Sequence, residues 1–189
     1  MKRLIFAAVL LGQVLFAAHA AAWEDNGTPI SSSATVQLTG SWTFAGSYEC
    51  PNLVIGLELN PAGTGSVTSF GFEDTSKCKV ITAYAALGCK QLTAHTATNL
   101  PWAIVNNGTN VSITQFDLDE TVTGMGLCAS GIPLTIGAYK SSPLTLTPDN
   151  LNSISSFQIS GSLQTSTGTV RPISGTLSVL PSDIGTYGL

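Results

Sequence analysis

Residues 36–44 read VQLTGSWTF, with Val36, Leu38, Trp42 and Phe44 on one parity and Gln37, Thr39, Ser41 and Thr43 on the other. Successive side chains of a strand point to opposite faces, so this alternation predicts a half-buried β-strand with an aromatic inner side. The period continues downstream. LVIGLEL at 53–59 puts Leu53, Ile55, Leu57 and Leu59 together, and Asn60, Pro61, Ala62 and Gly63 supply a turn before SVTSFGF at 66–72. KVITAYAA at 79–86 reads as a further strand from its β-branched start, with a helix as the competitor that its alanines allow. QLTAHTATN at 91–99 has no strong period and reads as a connection between layers or a poor edge strand.

Asn107 and Gly108 are the strongest hairpin signal, because both tolerate the positive φ of a type I′ turn. They join WAIVN at 102–106 to NVSITQFDL at 110–118. In the second segment Val111 and Ile113 share one parity and Phe116 and Leu118 the other. That change predicts a bulge near Thr114 and Gln115, or a strand that leaves one environment for another. IPLTIGAY at 132–139 aligns Ile132, Leu134, Ile136 and Ala138. LTL at 144–146, bracketed by Pro143 and Pro148, should be short or at an edge. FQISGSL at 157–163 and ISGTLSVL at 173–180 look like two arms of one hairpin closed by a loop at 165–171.

Roughly nine to eleven strands and no sustained helical period predict an all-β, antiparallel fold. A β-sandwich is preferred to a closed up-and-down β-barrel because prolines and the parity break interrupt the strands repeatedly.

The chain opens MKRLIFAAVLLGQVLFAAHA, two basic residues followed by an apolar run and small residues. Residues 1–20 therefore read as a signal peptide, 21–34 as an exposed N-terminal segment and 35–189 as a single β-domain in a secreted or cell-envelope protein. No span of about 20 apolar residues follows the leader, so no membrane span is expected after its removal. Without Lys2 and Arg3 the chain keeps five basic against eleven acidic side chains. Nucleic acid is a poor partner for such a surface, which lacks the cations needed to neutralise phosphates.

Cys50, Cys78, Cys89 and Cys128 all follow the leader, and none forms a CxxC pair of the zinc or thioredoxin kind. Two disulfides are expected. Of three pairings, Cys50 with Cys78 and Cys89 with Cys128 keeps both loops fairly local, and a bridge from Cys78 to Cys89 across one hairpin is the rival.

Candidate chemistry is sparse. There is no GxSxG, GxGxxG or P-loop, and no cofactor is expected. His95, alone after the leader, reads as a surface or loop residue. Asp117, Asp119 and Glu120 form a weak acidic cluster. It reads first as a solvated strand end, then as a calcium site or an acid–base pair. Asp149, Asn150 and Asn152 read as turn residues that could also offer oxygens to calcium. Trp102, Tyr84 and Phe116 are candidate ligand contacts, Trp42 belongs in the core by parity, and Trp23 should be disordered unless a groove covers it. Asn26, Asn107 and Asn110 begin sequons.

These features point to a noncatalytic binding or surface-associated structural domain whose partner is a protein, a glycan or a small apolar ligand. The alternatives are a small β-barrel carrier of an apolar ligand, and a carbohydrate-active enzyme using the acidic cluster.

Overall fold

A computed structural model describes residues 21–81, 84–139, 142–180 and 187–189. The expected signal peptide lies outside them. Fifteen strands follow one another as β1 (Glu24–Asp25), β2 (Thr28–Pro29), β3 (Ala34–Phe44), β4 (Tyr48–Leu59), β5 (Thr64–Phe72), β6 (Lys79–Val80), β7 (Cys89–Ala97) and β8 (Trp102–Asn106), then β9 (Val111–Ile113), β10 (Asp117–Gly124), β11 (Ile132–Ala138), β12 (Leu144–Pro148), β13 (Ser156–Thr165), β14 (Val170–Val179) and β15 (Tyr187–Gly188). Three short 3-10 turns, Thr75–Lys77, Ala85–Leu87 and Gly126–Cys128, complete the described elements.

The fold is all-β and antiparallel. Twelve strands form one large sheet in the order β11-β10-β7-β6-β4-β3-β14-β13-β12-β9-β8-β5, and β15-β1-β2 form a small one. The order is not that of an up-and-down meander, since β3 lies beside β14, β7 beside β10 and β9 beside β12. The large sheet doubles over on itself. Its two ends are tied back, β5 to β4 and β11 to β13, which leaves few free edges to pair with other chains. Inward-facing side chains of both halves meet in one apolar core that includes Leu38, Trp42, Leu53, Ile55, Leu118, Ile136, Leu163 and Leu177.

Period-2 segments become strands where expected. β13 and β14 are the predicted closing hairpin, with Gln164 opposite Val170. The disulfides join Cys50 to Cys78 and Cys89 to Cys128, the local pairing.

Several local expectations fail for identifiable reasons. The strand read at 79–86 is only β6, after which Ala85–Leu87 turns as a 3-10 segment ended by Gly88 at φ +88°. The weakly patterned 91–99 stretch is the nine-residue β7. Opposite it, Thr121 pairs with Ala94 but Val122 pairs with Leu92, so a bulge at Thr93 breaks the alternation and hides the strand. The loop after β8 runs over 107–110, with Asn106 opposite Val111 and the Asn107 amide donating to Asn110 O. Only Gly108 of the central pair has positive φ, so the two-residue type I′ turn does not form. The parity change near Gln115 is a departure from one environment to another. Gln115 takes φ +62°, ending the pairing of β9 with β8 and β12 and starting that of β10 with β7 and β11. β12, in contrast, is short as one of its two expected forms has it, and lies between β9 and β13.

The segment at 21–34 is exposed over much of its length but anchored at its start. Trp23 is 2% exposed and donates from Nε1 to Thr64 O at 2.9 Å. The Ala21 amide donates to Asn106 O, and the Asn106 side chain donates to Ala22 O. A groove does cover Trp23, at the end of the core lined by Val36, Leu57, Leu146 and Phe157.

Candidate functional site

Buried charge is expensive unless it is paired, so the informative polar group in this core is Glu120 at 3% exposure. On β10 it shares parity with Leu118 and Val122, which turns it inward. Directly across the ladder stands His95 of β7. His95 Nδ1 lies 3.0 Å from Glu120 Oε1, and the same oxygen accepts from Tyr48 Oη at 2.5 Å. Tyr48 in turn accepts from Trp42 Nε1 at 3.2 Å. Four side chains from β3, β4, β7 and β10 thus form one polar chain through an apolar interior.

His95 Nε2 is 3.4 Å from Phe70 O. A carbonyl can only accept, so this contact puts a proton on Nε2 and leaves one further proton for the Nδ1 to Oε1 contact. Burial pushes the Glu120 carboxyl up from its ordinary range, against the opposing hydrogen bonds from His95 and Tyr48 and the His95 charge. Glu120 Oε2 has no hydrogen-bond partner, which adds to the cost of ionising it. Tyr48 is held well above the ordinary phenol value, first by burial and then by Glu120.

The surroundings are aromatic. Phe72 and Phe70 lie 4.6 and 5.6 Å from the His95 ring, and Phe72 meets Tyr48 edge-on at 6.2 Å. His95 is therefore not a surface or loop residue. Its side chain is 7% exposed and that of Glu120 is 0% exposed. The arrangement can pass one proton between imidazole and carboxyl, and it ties β4 to β7 and β10 across the core. No nucleophile joins this hydrogen-bonded chain, which ends at an indole on one side and a backbone carbonyl on the other.

Strand pleat divides the expected acidic cluster. Asp117 and Asp119 face outward, where Asp117 accepts from Asn99 Nδ2 at 2.8 Å and Asp119 from Thr135 Oγ1 at 2.8 Å. Glu120 faces the interior. Among the described residues no group of three or more His, Cys, Asp or Glu side chains is placed to hold a metal ion. Asp149 caps its own loop instead, accepting from Ser155 Oγ and from the Ser155 and Ser156 amides.

The three candidate ligand contacts also separate. Trp102 and Phe116 come together with ring centres 4.5 Å apart, and Phe116 stacks on Trp42 at 5.5 Å. Both are buried at 2% exposure or less, with Trp102 Nε1 donating to Thr98 O. Tyr84 stands elsewhere, half-buried at the start of the Ala85–Leu87 turn. A shallow open hollow beside Phe116 and Asp117 is bordered by Asn99, Gln115, Gly137 and Ala138. The apolar cleft that Trp23 helps to line has about 20 Å³ of space, room for roughly one water.

Sequence reasoning missed His95 and the inward turn of Glu120. The Glu120 signal was present in the parity of Leu118 and Val122, whereas the β7 bulge erased that of His95. Among the described residues no helix is long and apolar enough to cross a membrane. Comparison with protein-family models, with curated proteins and with solved structures finds no match to this chain.

Proposed function

We propose that the chain is an exported, noncatalytic β-domain of the extracellular space or cell envelope that works through its outer surface, as a binding or surface-associated structural module. The observation that carries this reading is the commitment of the interior to packing. Trp23, Trp42 and Trp102 are all buried, and each indole N–H is spent on a partner within the chain. A carrier of apolar ligands needs a cavity of hundreds of cubic ångströms, far more than the single-water space beside Trp23. Carbohydrate hydrolysis needs two carboxyls facing one substrate; Glu120 is sealed in the core, and the outward Asp117 and Asp119 are each engaged by a neighbouring side chain, Asn99 and Thr135. Two disulfides and tied-back sheet margins fit an oxidising, unprotected environment.

Tryptophan emission tests the reading directly. Titrating the folded chain with fatty acids or short oligosaccharides should leave the emission unchanged, because no indole is available to a ligand. A saturable shift in the emission maximum would overturn the closed interior and favour a carrier.

A further inference from the structure

The disulfide between Cys89 and Cys128 brings two turns side by side, Ala85–Leu87 and Gly126–Cys128. Leu87, Met125 and Leu127 stand out from them at 37%, 60% and 74% exposure, the largest concentration of exposed apolar side chains among the described residues. No charged residue occurs between Lys79 and Lys90 or between Glu120 and Lys140, so both turns are uncharged throughout. Six backbone amides in and beside these turns find acceptors within them. Leu87 and Cys89 donate to Tyr84 O, Gly88 to Ala85 O, Met125 to Gly88 O, Cys128 to Met125 O and Ala129 to Gly126 O.

We propose that this tip inserts shallowly and reversibly into the headgroup boundary of a lipid bilayer. The inference rests on the surface-acting reading above and names the surface. Three large side chains fall far short of the roughly 20–30 residues a side that a stable protein interface engages, so a second copy or a protein partner is a poor occupant. A bilayer asks for no matching surface. It asks for apolar side chains without charge, which the tip carries throughout, and it favours backbone groups that bring their own partners into a water-poor layer, as these six amides do. Half-buried Tyr84 at the base of the tip and exposed Lys90 beside it are the residue types that settle at the headgroup level. The acidic balance of the rest of the chain favours zwitterionic over anionic lipid.

The test is flotation of the exported chain with phosphatidylcholine vesicles at millimolar lipid, alongside Leu127→Asp combined with Met125→Ser. Both positions are exposed, so far-UV circular dichroism and the melting temperature of the variant should match the parent. The parent should float with the vesicles, and the variant should partition at least about tenfold more weakly, the scale set by placing a carboxylate where an apolar side chain entered. A parent that stays in solution, or a variant that floats equally well, would overturn the proposal. A concentration-dependent dimer abolished by the same variant, without vesicle binding, would overturn it in favour of a second copy. Failure here leaves the emission test untouched, so the two readings fall separately.

Discussion

Glu120 places both its partners, Tyr48 and His95, on one oxygen and leaves the other bare. A carboxyl raised in the folded state holds its proton more tightly there than in the unfolded chain. Its contribution to stability is therefore complete below the ordinary value of 4.5 and is lost as pH rises through the raised one. Glu120→Gln removes that term, so the melting temperature of the variant should gain on the parent as pH rises above 4.5. A gap that moves the other way would mean that Glu120 is better stabilised as an anion than its surroundings suggest. Asp149 has the opposite sign. Ser155 Oγ and the Ser155 and Ser156 amides lower its carboxyl to about 2, so its contribution is present above 3.8 and lost as pH falls toward about 2. Asp149→Asn should flatten the acid limb of the melting profile by a small amount, because the group is largely exposed. The parity of Glu120 was legible in the sequence. Its partner was not, because which strand lies across from β10 is a matter of topology, and the bulge at Thr93 disguised β7 as a loop.

Among the elements, β3 and β14 pair across two glycines that leave no room for a side chain. A Cβ on Gly40 would stand 1.8 Å from Thr176 O, and one on Gly175 would stand 2.1 Å from Ser41 O. Alanine at either position has to push two strands apart and should cost about 1–3 kcal/mol or more in urea unfolding. Gly71→Ala, with nothing within 4 Å of the added carbon, should stay within about 0.5 kcal/mol of the parent. Equal effects at Gly40 and Gly71 would contradict the close approach. At the other end of the core, Trp23→Ala removes the side chain that closes the fold and should cost about 3–5 kcal/mol, although none of its neighbours in sequence is buried. Here too the sequence was legible only in part. Alternation in 36–44, 53–59 and 157–163 announced β3, β4 and β13, since one face of each is buried. The segment at 21–34 carries no period, and the groove that receives Trp23 is assembled from strands distant in sequence.

For the molecule as a whole, two disulfides spanning 28 and 39 residues restrain a fold built almost entirely from contacts across strands. Each should contribute roughly 3.5–4 kcal/mol through the unfolded chain. Serine at Cys89 and Cys128 together should lower the urea midpoint accordingly and loosen the uncharged tip, whereas an unchanged midpoint would place the restraint elsewhere. The proposed outward-acting role makes one claim about the interior, in which all three tryptophans are packed and the buried acid lies among aromatic rings: that it holds no ligand. Native mass spectrometry of the chain taken gently from its own extracellular or envelope fraction, compared with the same sample denatured, tests that claim most directly. A packed interior gives the mass of the disulfide-bonded chain with no small molecule bound inside it; a reproducible noncovalent mass of an apolar ligand, released on denaturation, would mean that the interior holds a cavity after all.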